Sequence, residues 1–226
     1  MQRYFNVAGP CEPDKHYMLP AASRCGDLST LIERGLYFVI HAARQSGKTT
    51  FLKELERTLR AENNYHVLYC TLETVQGYPN PIEGIPAIVS AIRTAMERTP
   101  GLAAYNFSGN RDPKEYTRLV LTSFMDLCQE LDKPLIVLFD GSDCLCEGTL
   151  VTFLRQLREG YINRSGAPFI HSLALVGMRN IRDYKAQLRS ESQTHGSASP
   201  FNIVTETMSL RNFTKDEIAF LFAQHT

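Results

Sequence analysis

Three consecutive residues, Gly47, Lys48 and Thr49, are of the types that together hold a phosphate group and a divalent cation. They end the segment Ala42-Ala43-Arg44-Gln45-Ser46-Gly47-Lys48-Thr49, which follows the pattern G-x-x-x-x-G-K-S/T except that alanine replaces the first glycine. In this pattern backbone N–H groups surround the phosphates, the lysine reaches the β- and γ-oxygens, and the hydroxyl binds Mg²⁺. The predicted phosphate contacts are Ala43, Arg44, Gln45, Ser46, Gly47, Lys48, Thr49 and Thr50.

The elements on either side of this loop agree with phosphate binding. An apolar run at 36–40 precedes it, and Leu52, Leu55 and Leu59 follow at the i, i+3 and i+7 spacing of an amphipathic helix. A helix that starts at the loop adds its dipole and its free N–H groups to the anion site. The alternative is an ordinary strand-to-helix turn that carries a lysine, and the Gly-Lys-Thr sequence in this setting disfavours it.

A second candidate residue, Asp140, ends the apolar run Leu135-Ile136-Val137-Leu138-Phe139. A carboxylate at the end of a buried strand beside a phosphate loop holds the Mg²⁺ ion, so Thr49 and Asp140 are the predicted metal ligands. Asp140 lies 92 residues after Lys48 (140 − 48), which leaves room for one complete strand between them. A carboxylate that only caps the next turn is the alternative for Asp140.

Short apolar runs alternate with longer amphipathic segments along the chain, which predicts an α/β three-layer sandwich with a mostly parallel five-stranded sheet. The predicted strands are 36–41, 66–72, 135–140, 171–177 and 202–210. Helices are predicted over 85–98, 112–131 and 148–159, and a capping box, Thr214 with Glu217, opens a last one. Residues 74–132 therefore form a helical insertion between the second and third strands.

Composition limits the partners and the compartment. The 24 basic and 24 acidic residues cancel, so net charge does not indicate nucleic acid as a partner. The six cysteines show no disulfide framework and no secretory signal precedes them, which favours reduced thiols in a cytoplasm. The longest apolar runs are too short to cross a bilayer, so no membrane partner is expected.

The sequence resembles bacterial and archaeal AAA-like ATPases close to the STAND class, in which a nucleotide-binding domain acts as a switch. The resemblance covers nearly the whole chain and includes the segments 5–10, 16–20, 41–50, 154–158, 177–185 and 199–203. It implies a P-loop NTPase fold of strand order 5-1-4-3-2, with ATP or ADP and Mg²⁺ as cofactors. Relatives of this kind tolerate alanine at the position of Ala42.

The resemblance also implies how the chain is organised. Residues 1–226 are interpreted as one AAA-like nucleotide-binding domain, in which a lead-in at 1–35 folds over the nucleotide site. A helical or winged-helix lid follows the sheet in such ATPases. We expect that lid to be absent from this chain, which stops at Thr226 and reads as the front part of a longer protein.

Relatives carry an acid directly after the Mg²⁺ aspartate, and this acid orients and deprotonates the attacking water. Here that position is Gly141, which has no side chain that can act as a base. Asp143, three residues after Asp140, is the predicted catalytic substitute, and a plain turn residue is an equally good interpretation. A Gly141→Glu variant is expected to restore hydrolysis if the natural chain has lost it.

The fourth predicted strand is followed by Arg179 and Asn180. In related ATPases a polar or cationic residue at this place senses the γ-phosphate, and Arg179 is the predicted sensor. Solvation of a turn is the alternative for both residues. Arg164, just before the strand, lies where oligomeric relatives place an arginine finger, but a surface arginine is the favoured interpretation.

The function expected from these observations is a Mg²⁺-ATP-binding AAA-like ATPase domain that acts as a switch or motor in a larger protein, with weak hydrolysis. A nucleotide-bound scaffold that does not hydrolyse ATP is the second hypothesis, and a small-molecule P-loop kinase is the third. The expected partner is the nucleotide, and self-association or contacts with effector domains stay open.

Overall fold

One parallel sheet organises the chain. The structure is a computed structural model that describes residues 3–20, 24–109, 111–177 and 203–225. The strands are β1 (Tyr37–His41), β2 (His66–Thr71), β3 (Leu135–Asp140), β4 (Ser172–Gly177) and β5 (Val204–Ser209). Their order is β2-β3-β4-β1-β5, and every pairing is parallel. The five predicted strands and the order 5-1-4-3-2 are therefore confirmed.

Helices cover both faces of this sheet. Those in the described ranges are α1 (Leu28–Glu33), α2 (Lys48–Glu62), α3 (Pro81–Glu97), α4 (Leu119–Glu130), α5 (Glu147–Asn163) and α6 (Lys215–Ala223). Successive strand side chains point to opposite faces. Val39 and Val137 accordingly join the core beneath α3, α4 and α5, whereas Phe38 and Leu138 join the core beneath α1 and α2. The result is the predicted three-layer sandwich, with α3 and α4 inserted between β2 and β3.

The strand ends that matter for function meet at one edge of the sheet, because all strands run in the same direction. His41, Asp140 and Gly177 are the last residues of β1, β3 and β4. His41 pairs with Gly177 across β1 and β4, and Asp140 pairs with Thr71 across β3 and β2. The segment after β1 and the carboxylate that ends β3 are thus separated by a single strand.

The helix predicted over 112–131 begins later than its sequence signals suggest. The side chain of Asp112 does accept a hydrogen bond from the Lys114 N–H at 2.9 Å. This cap closes only a 3₁₀ turn, Pro113–Glu115, and the α-helix proper starts at Leu119. The predicted start was wrong because a cap and a proline fix one turn without fixing what the chain does next.

A residue from another helix caps α4. The fully buried side chain of Gln156 in α5 accepts hydrogen bonds from the N–H groups of Val120 and Leu121 at 2.8 and 3.1 Å. Its amide nitrogen donates to the Tyr116 carbonyl at 3.0 Å. Two of the N–H groups that a helix start leaves without intrahelical partners are therefore satisfied from α5. The predicted helix over 148–159 is present, as part of α5.

Two further helix starts follow local rules. The helix predicted over 85–98 begins already at Pro81, because the Asn80 side chain accepts from the Ile82 N–H at 3.1 Å. The capping box predicted at Thr214 and Glu217 is confirmed, with both reciprocal hydrogen bonds present. The helix α6 that it opens has no fully buried residue.

Within the described ranges, no helix combines the length and the apolar character needed to cross a membrane. All six cysteines lie in those ranges and are free. Burial raises the pKa of Cys70 and of Cys128 to about 12, so both stay protonated and pack as apolar side chains.

We predict that Gln156→Leu lowers the free energy of unfolding by about 2–4 kcal/mol, because it leaves two buried N–H groups and one carbonyl without partners. Urea denaturation followed by circular dichroism measures the change. The exposed neighbour Arg155 supplies the control, since Arg155→Gln is expected to stay within about 0.5 kcal/mol of the natural protein. Equal stabilities for the two variants would show that Gln156 does not cap α4.

Candidate functional site

The loop between β1 and α2, which is predicted to bind phosphate, contains two residues with positive φ. Gly47 is the N-cap of α2 with φ 85°, and as a glycine it provides no side-chain cap. Gln45 also has positive φ, at 59°. Ala42 does not, so its methyl group causes no backbone strain, and it is buried at 5% exposure. The absence of the first glycine is therefore harmless to the loop.

The lysine of the loop points back across it. Lys48 Nζ donates to the carbonyl oxygens of Ala43 at 2.8 Å and of Ala42 at 3.1 Å. The Ser46 hydroxyl donates to the Ala43 carbonyl at 2.7 Å. The ammonium group is thus held inside the loop, beside the N-terminus of α2, where it can neutralise an anion. Arg44 and Gln45 are exposed at the tip.

The two predicted metal ligands touch each other. The Thr49 hydroxyl donates to Asp140 Oδ2 at 2.7 Å, and the Tyr69 hydroxyl donates to the same oxygen at 3.0 Å. The other oxygen, Oδ1, accepts from the Gly141 N–H at 3.0 Å. Asp140 is 6% exposed, so three donors fix the orientation of a buried carboxylate.

This arrangement fits Mg²⁺ and a nucleotide phosphate. A hydroxyl oxygen and a carboxylate oxygen are the ligand types that Mg²⁺ takes from proteins, and here they converge at one point. The first N–H groups of α2 have no intrahelical partner and no side-chain cap, which suits a phosphate. Thr49 and Asp140 would hold the ion, which would screen phosphate charge at this edge.

Arg24, a buried arginine that the sequence analysis missed, is hydrogen-bonded to the backbone of the loop. Arg24, 5% exposed, donates through Nη2 to the Ser46 carbonyl at 2.8 Å and to the Arg211 carbonyl at 2.7 Å. Its guanidinium also lies 4.1 Å from the centre of the Phe213 ring. Burial lowers the pKa of Arg24 from its usual value. The phosphate loop is thereby tied to the segment that joins β5 to α6.

The lead-in also reaches this region. The Cys11 N–H donates to the Thr50 hydroxyl at 3.0 Å, which joins the lead-in to the first turn of α2. Further along, Met18 exchanges two hydrogen bonds with the Gln224 side chain, at 2.9 and 3.3 Å. The Tyr17 hydroxyl and His225 Nδ1 are 3.2 Å apart. The chain before β1 therefore contacts both α2 and the segment around α6.

Gly141 lies where related ATPases carry an acid, and its surroundings restrict any side chain at this position. Gly141 has φ 67°, a conformation that disfavours a side chain. A Cβ at Gly141 would lie 2.9 Å from Glu73 Cγ. The Gly141→Glu variant suggested by the sequence would therefore be strained and would displace Glu73. It cannot serve as a clean test of hydrolysis.

Asp143, the predicted catalytic substitute, lies beside the end of β4. A Cβ at Gly177, the last residue of β4, would be only 2.6 Å from Asp143 Oδ1. The carboxylate is thus packed against the backbone of the β4 end, and its predicted role as a catalytic substitute stays a prediction. Arg179, the predicted sensor, lies outside the described residues.

Arg164 is at the opposite edge of the sheet. Its Nη1 donates to the carbonyls of Gly35 at 2.6 Å and His171 at 3.0 Å, just before β1 and β4 begin. The guanidinium stacks 4.1 Å from the centre of the Tyr161 ring. Arg164 therefore has a structural role, and these contacts hold it more firmly than the interpretation as a surface arginine implied.

Comparisons with known proteins bear on the fold. Neither the protein-family models nor the curated proteins give a match. A Walker-type ATPase of Pyrococcus abyssi superimposes with a TM-score of 0.56 at 15% identity, over 97% of this chain and 60% of that one. The ORC1 protein of Aeropyrum pernix, solved in complex with DNA, gives 0.55 at 14% identity, over 94% and 51%. Cdc6p of Pyrobaculum aerophilum gives 0.52 at 18% identity, over 84% and 42%.

The sheet order and the solved structures define the class. The chain has the α/β fold of P-loop NTPases, and AAA+ ATPases are among the structures that share it. The resemblance predicted from the sequence is thus confirmed at the level of the fold. The chain spans between 42% and 60% of the length of these three proteins.

We predict that Arg24→Met lowers the free energy of unfolding by about 1–3 kcal/mol, because two partly buried carbonyls lose a charged donor while the apolar stem is kept. At about 2–4 °C per kcal/mol, thermal unfolding should show a clear fall in Tm. The exposed Arg34 is the matched control, and Arg34→Met should change Tm little. An unchanged Tm for Arg24→Met would refute the tie between loop and β5–α6 segment.

Proposed function

We propose that this chain is the Mg²⁺-ATP-binding domain of an AAA-like ATPase, close to the STAND class, that acts as a nucleotide-dependent switch or motor in a larger protein. The observation that carries the proposal is the 2.7 Å hydrogen bond between Thr49 and Asp140 at the uncapped start of α2. It brings a hydroxyl and a carboxylate together beside a lysine, which is what a Mg²⁺-nucleotide site needs.

Each residue has a separate role in this proposal. The backbone from Ala43 to Thr50 surrounds the phosphates of ATP or ADP, and Lys48 neutralises their charge. Thr49 and Asp140 hold Mg²⁺, and Tyr69 keeps the carboxylate in place. Arg179 senses the γ-phosphate.

The lead-in covers the nucleotide in this proposal. The hydrogen bond from Cys11 to Thr50 supports this position, because it places the lead-in against the first turn of the helix that receives the phosphates. We further propose a cytoplasmic location, with self-association or effector-domain contacts that respond to the bound nucleotide. The P-loop kinase hypothesis is disfavoured, since β4 separates β1 from β3.

A second candidate function is a nucleotide-bound scaffold without turnover. Gly141 favours it, because the position of the usual acid has neither a side chain nor the backbone conformation for one. Phosphate release from the natural chain with Mg²⁺-ATP separates the two functions. Steady release that depends on Mg²⁺ indicates an ATPase, and tight ATP binding without release indicates the scaffold.

We predict that Lys48→Ala abolishes measurable ATP binding in a titration with a fluorescent ATP analogue. Removal of the only ammonium group held inside the loop is expected to cost about 3 kcal/mol or more, a loss of about 100-fold or greater. Lys133→Ala is the control, because Lys133 contacts Asn63 at the far end of α2 from the loop. Undiminished affinity in Lys48→Ala would refute the assignment.

A further inference from the structure

The Glu73 side chain, in the 3₁₀ turn that follows β2, occupies the space beside Gly141. Glu73 Cγ lies 2.9 Å from the position that a Cβ of Gly141 would take, and the Glu73 backbone nitrogen lies 3.6 Å from it. No side chain larger than hydrogen fits at 141 without moving Glu73. The two residues are therefore complementary in space, although they are 68 positions apart in the sequence (141 − 73).

The backbone beneath Glu73 is fixed to the strand that ends in the metal-binding carboxylate. Thr71 is paired with Asp140, and the Leu72 N–H donates to the Asp140 carbonyl at 2.8 Å. Glu73 then opens a 3₁₀ turn that is anchored by the buried Val75. The main chain is thus held rigidly next to Asp140, while the carboxylate of Glu73 itself is exposed.

The charge of Glu73 influences two groups near the end of β3, the Tyr69 phenol and the Cys144 thiol. Burial is the main cause of the raised pKa of the Tyr69 phenol, and the charges of Asp140 and then Glu73 raise it further. Burial likewise raises the pKa of the Cys144 thiol, with added contributions from Asp143, Glu73 and Asp140. Glu73 therefore belongs to the electrostatic surroundings of the predicted metal site.

We propose that Glu73 is the general base for ATP hydrolysis, in place of the acid that Gly141 lacks. This inference rests on the proposed function. The Glu73 carboxylate takes a proton from a water molecule while the water oxygen forms a bond to the γ-phosphorus. The bond from that phosphorus to the bridging oxygen breaks, and its electron pair stays on the β-phosphate of ADP. The products are ADP and inorganic phosphate, and the proton later leaves Glu73 for solvent.

Glu73 suits this role better than Asp143. The Asp143 carboxylate is packed against the backbone of Gly177 at the end of β4. Glu73 instead occupies the place next to Asp140 that a side chain at 141 would have used. The glycine at 141, with φ 67°, leaves the space that Glu73 occupies from the turn after β2.

The test compares Glu73→Gln with Asp143→Asn and with a control, Glu62→Gln, in three measurements: affinity for a fluorescent ATP analogue, phosphate release with Mg²⁺-ATP, and Tm. Glu62 is exposed at the far end of α2. Glu73→Gln should keep its ATP affinity and Tm while phosphate release falls about 100-fold or more, the contribution of a general base. Glu62→Gln should match the natural chain in all three.

The outcomes separate this inference from the proposed function. Failure of the natural chain to bind ATP overturns the proposed function, and with it the role of Glu73. ATP binding with no phosphate release, or with release unchanged in Glu73→Gln, overturns only the role of Glu73. Loss of release in Asp143→Asn alone assigns the base to Asp143 instead. Glu73→Gln that releases phosphate slowly and retains intact ATP after incubation supports the inference.

Discussion

The hydrogen bond from Thr49 to Asp140 joins two points that are 91 residues apart in the chain. It can form because β1 and β3 end at the same edge of the sheet with only β4 between them. Neighbouring strands are about 4.8 Å apart, so one more intervening strand would separate the hydroxyl from the carboxylate beyond hydrogen-bonding reach. The order of the strands is therefore the constraint on which the site depends. The two apolar cores, one on each face, hold that order.

The site is also connected to the parts of the chain that lie before β1 and after β5. Arg24 links the Ser46 carbonyl of the loop to the Arg211 carbonyl near α6, and Cys11 is bonded to Thr50. Charged donors to buried carbonyls are among the stronger hydrogen bonds in proteins. The loop and the first turn of α2 are therefore bonded to both flanking segments.

The glycine after Asp140 takes on a different meaning in three dimensions. In the sequence, Gly141 stands where related ATPases carry an acid. In the structure, it is the condition for Glu73 to lie beside Asp140, because a Cβ at 141 would collide with the glutamate side chain. Pairing of β2 with β3 brings the two together. The turn after a neighbouring strand thus places a side chain beside the residue that follows Asp140.

The sequence by itself determined the features that depend on neighbouring residues. The five strands, the helix after the 42–49 loop, the position of Asp140 at the end of a buried strand and the capping box at Thr214 could be predicted, since local patterning specifies them. The start of α4 could not, because Gln156 caps it from another helix. Arg24 and Glu73 were missed for the same reason. Their partners are distant in the chain, and only the packing of the sheet decides which distant residues meet.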